Sequence, residues 1–232
     1  MIIDRCLEAY GGAEFWKNLK RIDAEVSVSG LAFSLKRRPF FKNAKIEMEV
    51  QRPYSKITPI GKNEKITGVL EGHNVRLEDE NGQVLKERKN PRDYFPLGRR
   101  LFKWDDLDMA YFANYAFWNY FTFPNLLLNE TIQWKEIASG YLLAQFPDSI
   151  PTHSKKQEFR FDPETGLLKQ HNYTANVISK FANAANVVHA HRKFEGIPFP
   201  VSRIVTPQGK KGKAMKKPVL INIQVNDITF IK

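Results

Sequence analysis

The chain has 232 residues, 42% hydrophobic and 12% aromatic, with 36 Lys+Arg against 25 Asp+Glu for a formal net charge of +11. That composition excludes a disordered or collagen-like chain, because enough apolar surface is present to offset the entropy of ordering and glycine has no period. The single cysteine, Cys6, excludes an intrachain disulfide framework and a multi-thiolate metal site, and no apolar run reaches the roughly 18 residues of a transmembrane helix.

Residues 2–17 predict a helix broken at Gly11-Gly12, with Ile3, Leu7 and Tyr10 at helical spacing and Phe15 and Trp16 beyond the break. From Ile22 the period drops to two. Ala24, Val26 and Val28 and, past Gly30, Phe33 and Leu35 alternate with polar residues, which predicts one strand ending before Pro39. Ala44, Ile46, Met48 and Val50 alternate in a second strand, and shorter ones follow at 55–60, 66–70, 74–78 and 83–87, with turns at Gly72-His73 and Asn81-Gly82. The stretch WDDLDMAYFANYAFWNYFTFP breaks this pattern. It predicts a helix over 105–121, capped by Asp105 or Asp106, stopped by Pro124, and apolar nearly all round, hence buried on more than one side.

Strands resume at 133–137 and 141–146, and 158–162 and 167–175 flank a hairpin turn at Pro163-Glu164-Thr165-Gly166. A short helix is predicted over 176–182 and three last strands at 187–194, 201–206 and 219–231. The expected fold is mainly β with few helices: one large curved antiparallel sheet, a half barrel of about eleven strands, wrapping the aromatic-rich helix in a single domain over 1–232.

Two segments carry a family resemblance. LEAYGGAEFWKNLKRIDAEVSVSG, residues 7–30, shows a helix, a Gly-Gly turn, a short helix and a long strand; EFRFDPETGLLKQHNYT, residues 158–174, shows a strand, an FD-x-x-T-G-L-L turn and a strand. Both resemble the bacterial lipoprotein-carrier superfamily, the LolA/LolB-like half barrels. The resemblance implies an apolar concave face that takes acyl chains. The aromatic helix extends that expectation to flat or ring-containing ligands. Half barrels of this kind also include a cofactor-free enzyme, so the fold leaves the class of function open. The opening MIIDRCLEAY sets Asp4, Arg5 and Glu8 where a signal peptide has its apolar core, so the chain reads as cytoplasmic as it stands, and as periplasmic if an amino-terminal signal has been removed.

The expected function is binding of a hydrophobic, aromatic or acyl small molecule, with Trp104, Tyr111, Tyr115, Trp118, Phe121, Gln157 and Phe159 as ligand-binding candidates. The alternative is a cofactor-independent enzyme using a His/Tyr cluster in the same pocket. His171 and Tyr173 share one strand face, as do His189 and His191, which makes these four the acid–base candidates. His189, His191 and Glu195 form H-x-H-x-x-x-E, a spacing similar to the first metal motif of cupins but without its upstream glycine; metal binding there is the lesser reading, and no cofactor is expected. Arg99 and Arg100 precede Asp105, Asp106 and Asp108, which predicts an arginine–carboxylate clamp at the helix start. Lys210, Lys211, Lys213, Lys216 and Lys217 predict a basic loop able to contact an anionic surface, with no motif for specific nucleic-acid recognition.

Overall fold

The computed structural model describes residues 2–95 and 98–232. Alternating burial drives the sheet. In β1 (Arg21–Ser29) every second side chain, Ile22, Ala24, Val26 and Val28, is buried on one face. Strands β2 (Phe41–Glu49), β3 (Tyr54–Thr58), β4 (Thr67–Glu71), β5 (Asn74–Glu78) and β6 (Val84–Arg88) continue outward from β1 as an antiparallel meander. A second meander runs through β7 (Gln133–Ala138), β8 (Tyr141–Gln145), β9 (Lys156–Phe161), β10 (Leu168–Thr174), β11 (Asn183–Phe194), β12 (Ile197–Pro207) and β13 (Ile221–Ile231). The two meanders join where β1 pairs with β13, giving the order β6-β5-β4-β3-β2-β1-β13-β12-β11-β10-β9-β8-β7. Ile22 faces Phe230 and Val28 faces Ile223 across that junction.

Helices close one end of the curved sheet. α1 (Ile2–Ala9) and α2 (Ala13–Asn18) are tied together by the Trp16 indole N–H, which donates to the Tyr10 carbonyl at 2.7 Å. Tyr10 in turn packs edge-on against Phe123, 4.9 Å between centroids, in α5 (Phe123–Leu126). The other end forms a mouth, bordered by α3 (Leu31–Leu35) and by residues 98–104, 175–182 and 208–220. Through the concave side runs α4 (Asp106–Phe121), with fourteen of its sixteen residues buried. The Asp105 carboxylate accepts from the Asp108 N–H at 2.8 Å and the Asp108 carboxylate from the Asp105 N–H at 3.1 Å, a capping box that starts the helix where the sequence predicts it.

Four expectations are corrected. The strand predicted through Phe33 and Leu35 ends at Ser29: Gly30, at φ 129°, turns the chain against the backbone of Leu220, and α3 follows. Phe33 is buried and Leu35 exposed, so their spacing of two did not mark one strand face. Residues 176–182 form a turn, not a helix, closed by the Ala175 N–H donating to the Ala182 carbonyl at 2.9 Å. Pro124 does not stop α4: the helix ends at Phe121 with Thr122 capping it, and Pro124 sits in the first turn of α5, where a missing N–H is harmless. The sheet has thirteen strands among the described residues, not about eleven, one for each of the thirteen segments the sequence marks as a strand.

Candidate ligand site

The amino end of α4 is held by charge. Asp108 is fully buried and accepts from Arg88 at 2.6 Å, Arg99 at 2.8 Å and Arg100 at 2.7 Å. Asp105 takes Arg88 at 2.8 Å and Arg99 at 2.5 Å, and Arg38 pairs with Asp106. Burial works against ionisation of Asp105, but the Arg88 contact and the Asp108 N–H outweigh it and hold the carboxyl well below the usual carboxylate range. The arginine–carboxylate clamp expected from the sequence is present, with Arg88 as an added member.

The two flanks of α4 differ. Toward β2–β4 the contacts are polar and close. The Asn114 amide donates to the carbonyls of Gly68, at 3.0 Å, and Ala110, at 2.9 Å, and its oxygen accepts from the Ser55 hydroxyl at 2.6 Å. The Trp118 indole donates to the Glu49 carbonyl at 2.8 Å. Gly68 permits this approach: a Cβ there would stand 2.6 Å from the Cβ of Ala110. Toward β1, β12 and β13 the contacts of residues 109–117 are apolar and incomplete. A void of about 30 Å³ lies between Met109, Ala113, Ala116 and Phe117 of the helix and Val28, Phe41, Val205 and Ile223 of the sheet. A second, about 20 Å³, lies nearer the mouth between Phe33, Trp104, Phe112, Ile178 and Ile221. Together they mark an apolar seam along one side of α4.

At the inner end of the seam stands a buried polar cluster. His153 takes Tyr115 on Nδ1 at 3.2 Å and Tyr120 on Nε2 at 2.8 Å, and the Tyr120 and Tyr173 hydroxyls are 2.6 Å apart. His171 stacks on Phe159 at 4.2 Å and shares Nε2 with the Gln157 oxygen at 2.5 Å. The Gln157 amide donates to the Thr152 hydroxyl and the Ser154 carbonyl. Burial pushes both histidines well below their ordinary pKa, helped by neighbouring positive groups, so both are neutral; it also raises Tyr120 to about 12. Arg203, on the same face of β12 as Val205, is 2% exposed and lies 5.3 Å over the Tyr120 ring. Its Nη2 reaches the Tyr120 carbonyl at 3.3 Å, its Nη1 lacks a partner, and so do both polar atoms of the Asn186 side chain.

The structure brings some sequence candidates together and separates others. Tyr115, Gln157, Phe159, His171 and Tyr173 meet in the polar cluster. Trp104 lines the outer void. Tyr111 stacks on Phe95, Trp118 turns to β2, and Phe121 packs on Phe199 at 4.9 Å, all away from the seam. His171 lies opposite Asn186, not near the later histidines. His189 is exposed, and His191 is bonded to the Tyr10 hydroxyl at 3.0 Å and lowered to about 4 by burial. Glu195 accepts from the Phe230 N–H at 3.4 Å, and among the described residues no group of three or more His, Cys, Asp or Glu is placed to hold a metal. His153, which lies in a loop, and Arg203 are central residues outside the sequence candidates. A cavity of about 770 Å³ beside β7–β11 has a mixed lining, with Trp134, Leu143, Ala144 and Tyr173 beside polar side chains that bond in part to one another: the Asn172 amide donates to Glu158 at 3.0 Å and the Thr174 hydroxyl to Asn183 at 2.7 Å.

No protein-family model matches the chain, and no curated protein matches it. Solved structures do. A LolA superfamily protein of Nitrosomonas europaea superposes with a TM-score of 0.54 at 9% identity, covering 99% of this chain and 92% of that one. A DUF1329 family protein of Desulfovibrio piger gives 0.52 at 11% identity over 99% and 91% of the two chains. A domain of Vibrio parahaemolyticus described as an outer membrane lipoprotein-sorting protein gives 0.50 at 11% identity over 99% and 90%. With one open antiparallel sheet closed around a buried helix, the chain has the LolA-like fold.

Proposed function

We propose that this protein binds an apolar chain of the acyl type, taken into the seam between α4 and the strands β12, β13 and β1. The observation that carries this reading is the asymmetry of α4, hydrogen-bonded on one flank and bordered by apolar voids on the other. The voids are far smaller than the roughly 300–1,000 Å³ of a small-molecule site. Binding therefore spreads the seam, and the apolar flank is the one that parts without breaking a polar bond of residues 109–117. The shared fold supports the same class of ligand, since one structural neighbour is described as a lipoprotein-sorting protein.

Arg203 refines the ligand class. A buried guanidinium is costly without a counter-charge, and no carboxylate pairs with it among the described residues. It stands beside Val205 and Tyr120, which line the inner void, so a carboxylate at the head of an acyl chain would find Arg203 and Asn186 there. Native mass spectrometry of the protein incubated with a long-chain fatty acid or its methyl ester tests both points. One adduct is expected for the acid, with the ester weaker and Arg203→Met erasing the difference; no adduct with either compound contradicts the reading.

Tyr120 supports a second reading, cofactor-independent acid–base chemistry, because it both lines the inner void and bonds to His153. Against it, both nitrogens of His153 are already engaged and His171 is held by Gln157, so neither imidazole is aimed at the seam.

A further inference from the structure

The net charge of the chain is concentrated in four segments. Residues 30–40, 98–104, 175–182 and 208–220 contain twelve of the 36 Lys+Arg and none of the 25 Asp+Glu, so the remaining 24 basic and 25 acidic residues nearly cancel. The fold gathers these segments around the mouth, except that residues 210–212 fold back over the outer face of β9 and β10, where the Lys211 carbonyl accepts from Arg160 and the Gly212 carbonyl from Asn172, both at 2.9 Å. The N–H groups of Leu31 and Ala32 donate to the carbonyls of Val219 and Leu220 at 3.2 and 3.0 Å. The Lys36 ammonium donates to the carbonyls of Arg100 and Leu101 at 2.9 and 2.8 Å. Ile178 shares the outer void with Phe33, Trp104 and Ile221, and the Gln208 N–H donates to the Asn183 carbonyl at 2.9 Å.

Arg38, Arg99 and Arg100 are spent on the aspartates of α4, and Lys36 is buried. The other eight, including the five lysines between 210 and 217, have no ion pair among the described residues. The same four segments hold eight of the twelve exposed large apolar side chains among the described residues. Leu35 is 58% exposed, Phe102 70% and Phe181 77%; Leu101, Met215 and Val219 are exposed as well. Elsewhere on the described surface the exposed large apolar residues are Val84, Leu85, Tyr94 and Ile137.

We infer that the mouth docks on an anionic lipid bilayer. Lysines around a patch of this kind are drawn to acidic headgroups, and leucine, methionine and phenylalanine between them gain by entering the acyl boundary. A polyanion such as nucleic acid would satisfy the lysines but offers Leu35, Leu101, Met215 and Val219 no apolar phase. Docked in this way, the outer void and the seam behind it face the membrane. The inference does not depend on the seam holding a ligand.

Flotation of the full chain with phosphatidylcholine vesicles, with and without an equimolar share of phosphatidylglycerol, tests it. The protein is expected to float with the anionic vesicles and not with phosphatidylcholine alone, and to lose binding at least about tenfold when ionic strength rises from about 0.05 to 0.5 M. Phe102→Ser with Phe181→Ser, two exposed sites whose replacement leaves the core intact, is expected to weaken binding about tenfold or more at constant charge. Lys216→Glu with Lys217→Glu should do the same. Failure to float with anionic vesicles overturns the inference. So does undiminished binding of the Phe102→Ser/Phe181→Ser variant, or a DNA duplex that displaces the vesicles at equal charge concentration, since either shows a surface that reads charge alone.

Discussion

Tyr173 lies flat against His153, ring centroids 3.8 Å apart and 6° from parallel, while its hydroxyl meets that of Tyr120 at 2.6 Å. A strand, a loop and the central helix thus converge on one buried, uncharged network. A neutral His153 suits it, for instance with Tyr173 donating to Tyr120, Tyr120 to His153 Nε2, and His153 Nδ1 to Tyr115. Burial disfavours the charged form of the ring.

Stability should accordingly fall in mild acid. His153, His171 and His191 have folded pKa values below the unfolded value of about 6.5, so unfolding takes up protons as the pH drops through that value. Each contributes a loss of about 1.4 kcal/mol per pH unit below about 6.5, for His191 down to about pH 4. Carboxylates such as Asp105, held low in the fold, add their loss only below about pH 4, which leaves a window from about 6 to 4.5 for the histidines. Urea midpoints across that window are expected to fall steeply, and His171→Gln should remove about 1.4 kcal/mol per unit from the slope; an unchanged slope would show that His171 already titrates in the fold.

Asp108 carries the clamp. Asp108→Asn removes the one buried carboxylate shared by Arg88, Arg99 and Arg100 and leaves their charges facing an amide. The expected cost is about 3–5 kcal/mol in urea unfolding, with faster proteolysis in residues 98–104. A loss under about 1 kcal/mol would show that solvent already screens the cluster.

Gly68 tests the close flank of α4. Its added Cβ would meet the Cβ of Ala110 at 2.6 Å, so Gly68→Ala should cost about 1–3 kcal/mol through overpacking. Ala110→Gly, mildly destabilising alone by about 1 kcal/mol through helix propensity, should recover part of that loss in the double variant. Simple additivity of the two changes would place the strain elsewhere.

Local chemistry made much of this molecule legible. The alternation in β2 and the change of pattern at Asp105 located a strand and the central helix, because burial on one face and a carboxylate cap are written within a few residues. Phe33 and Leu35 misled because a spacing of two over five residues does not distinguish a strand from one helical turn. His153 was hidden by its place in a loop, where no periodicity marks burial, and only the approach of Tyr115, Tyr120 and Tyr173 gives it a role. Arg203 carries no local mark of its role, since its burial depends on α4 lying across β12. Ala113 and Ala116 drew no notice because small residues matter at the seam through what they leave unfilled.

The most direct test of the binding account fills that space. Ala116→Leu puts three more carbon atoms into a void of about 30 Å³ at the helix face of the seam, with an expected stability change within about 1–3 kcal/mol. Fluorescence titration with a long-chain polyene fatty acid should give saturable one-to-one binding to the native protein and at least about tenfold weaker binding to a folded Ala116→Leu variant, a difference of about 1.4 kcal/mol. Equal affinity in the two proteins, or no saturable binding by the native one, would contradict the account.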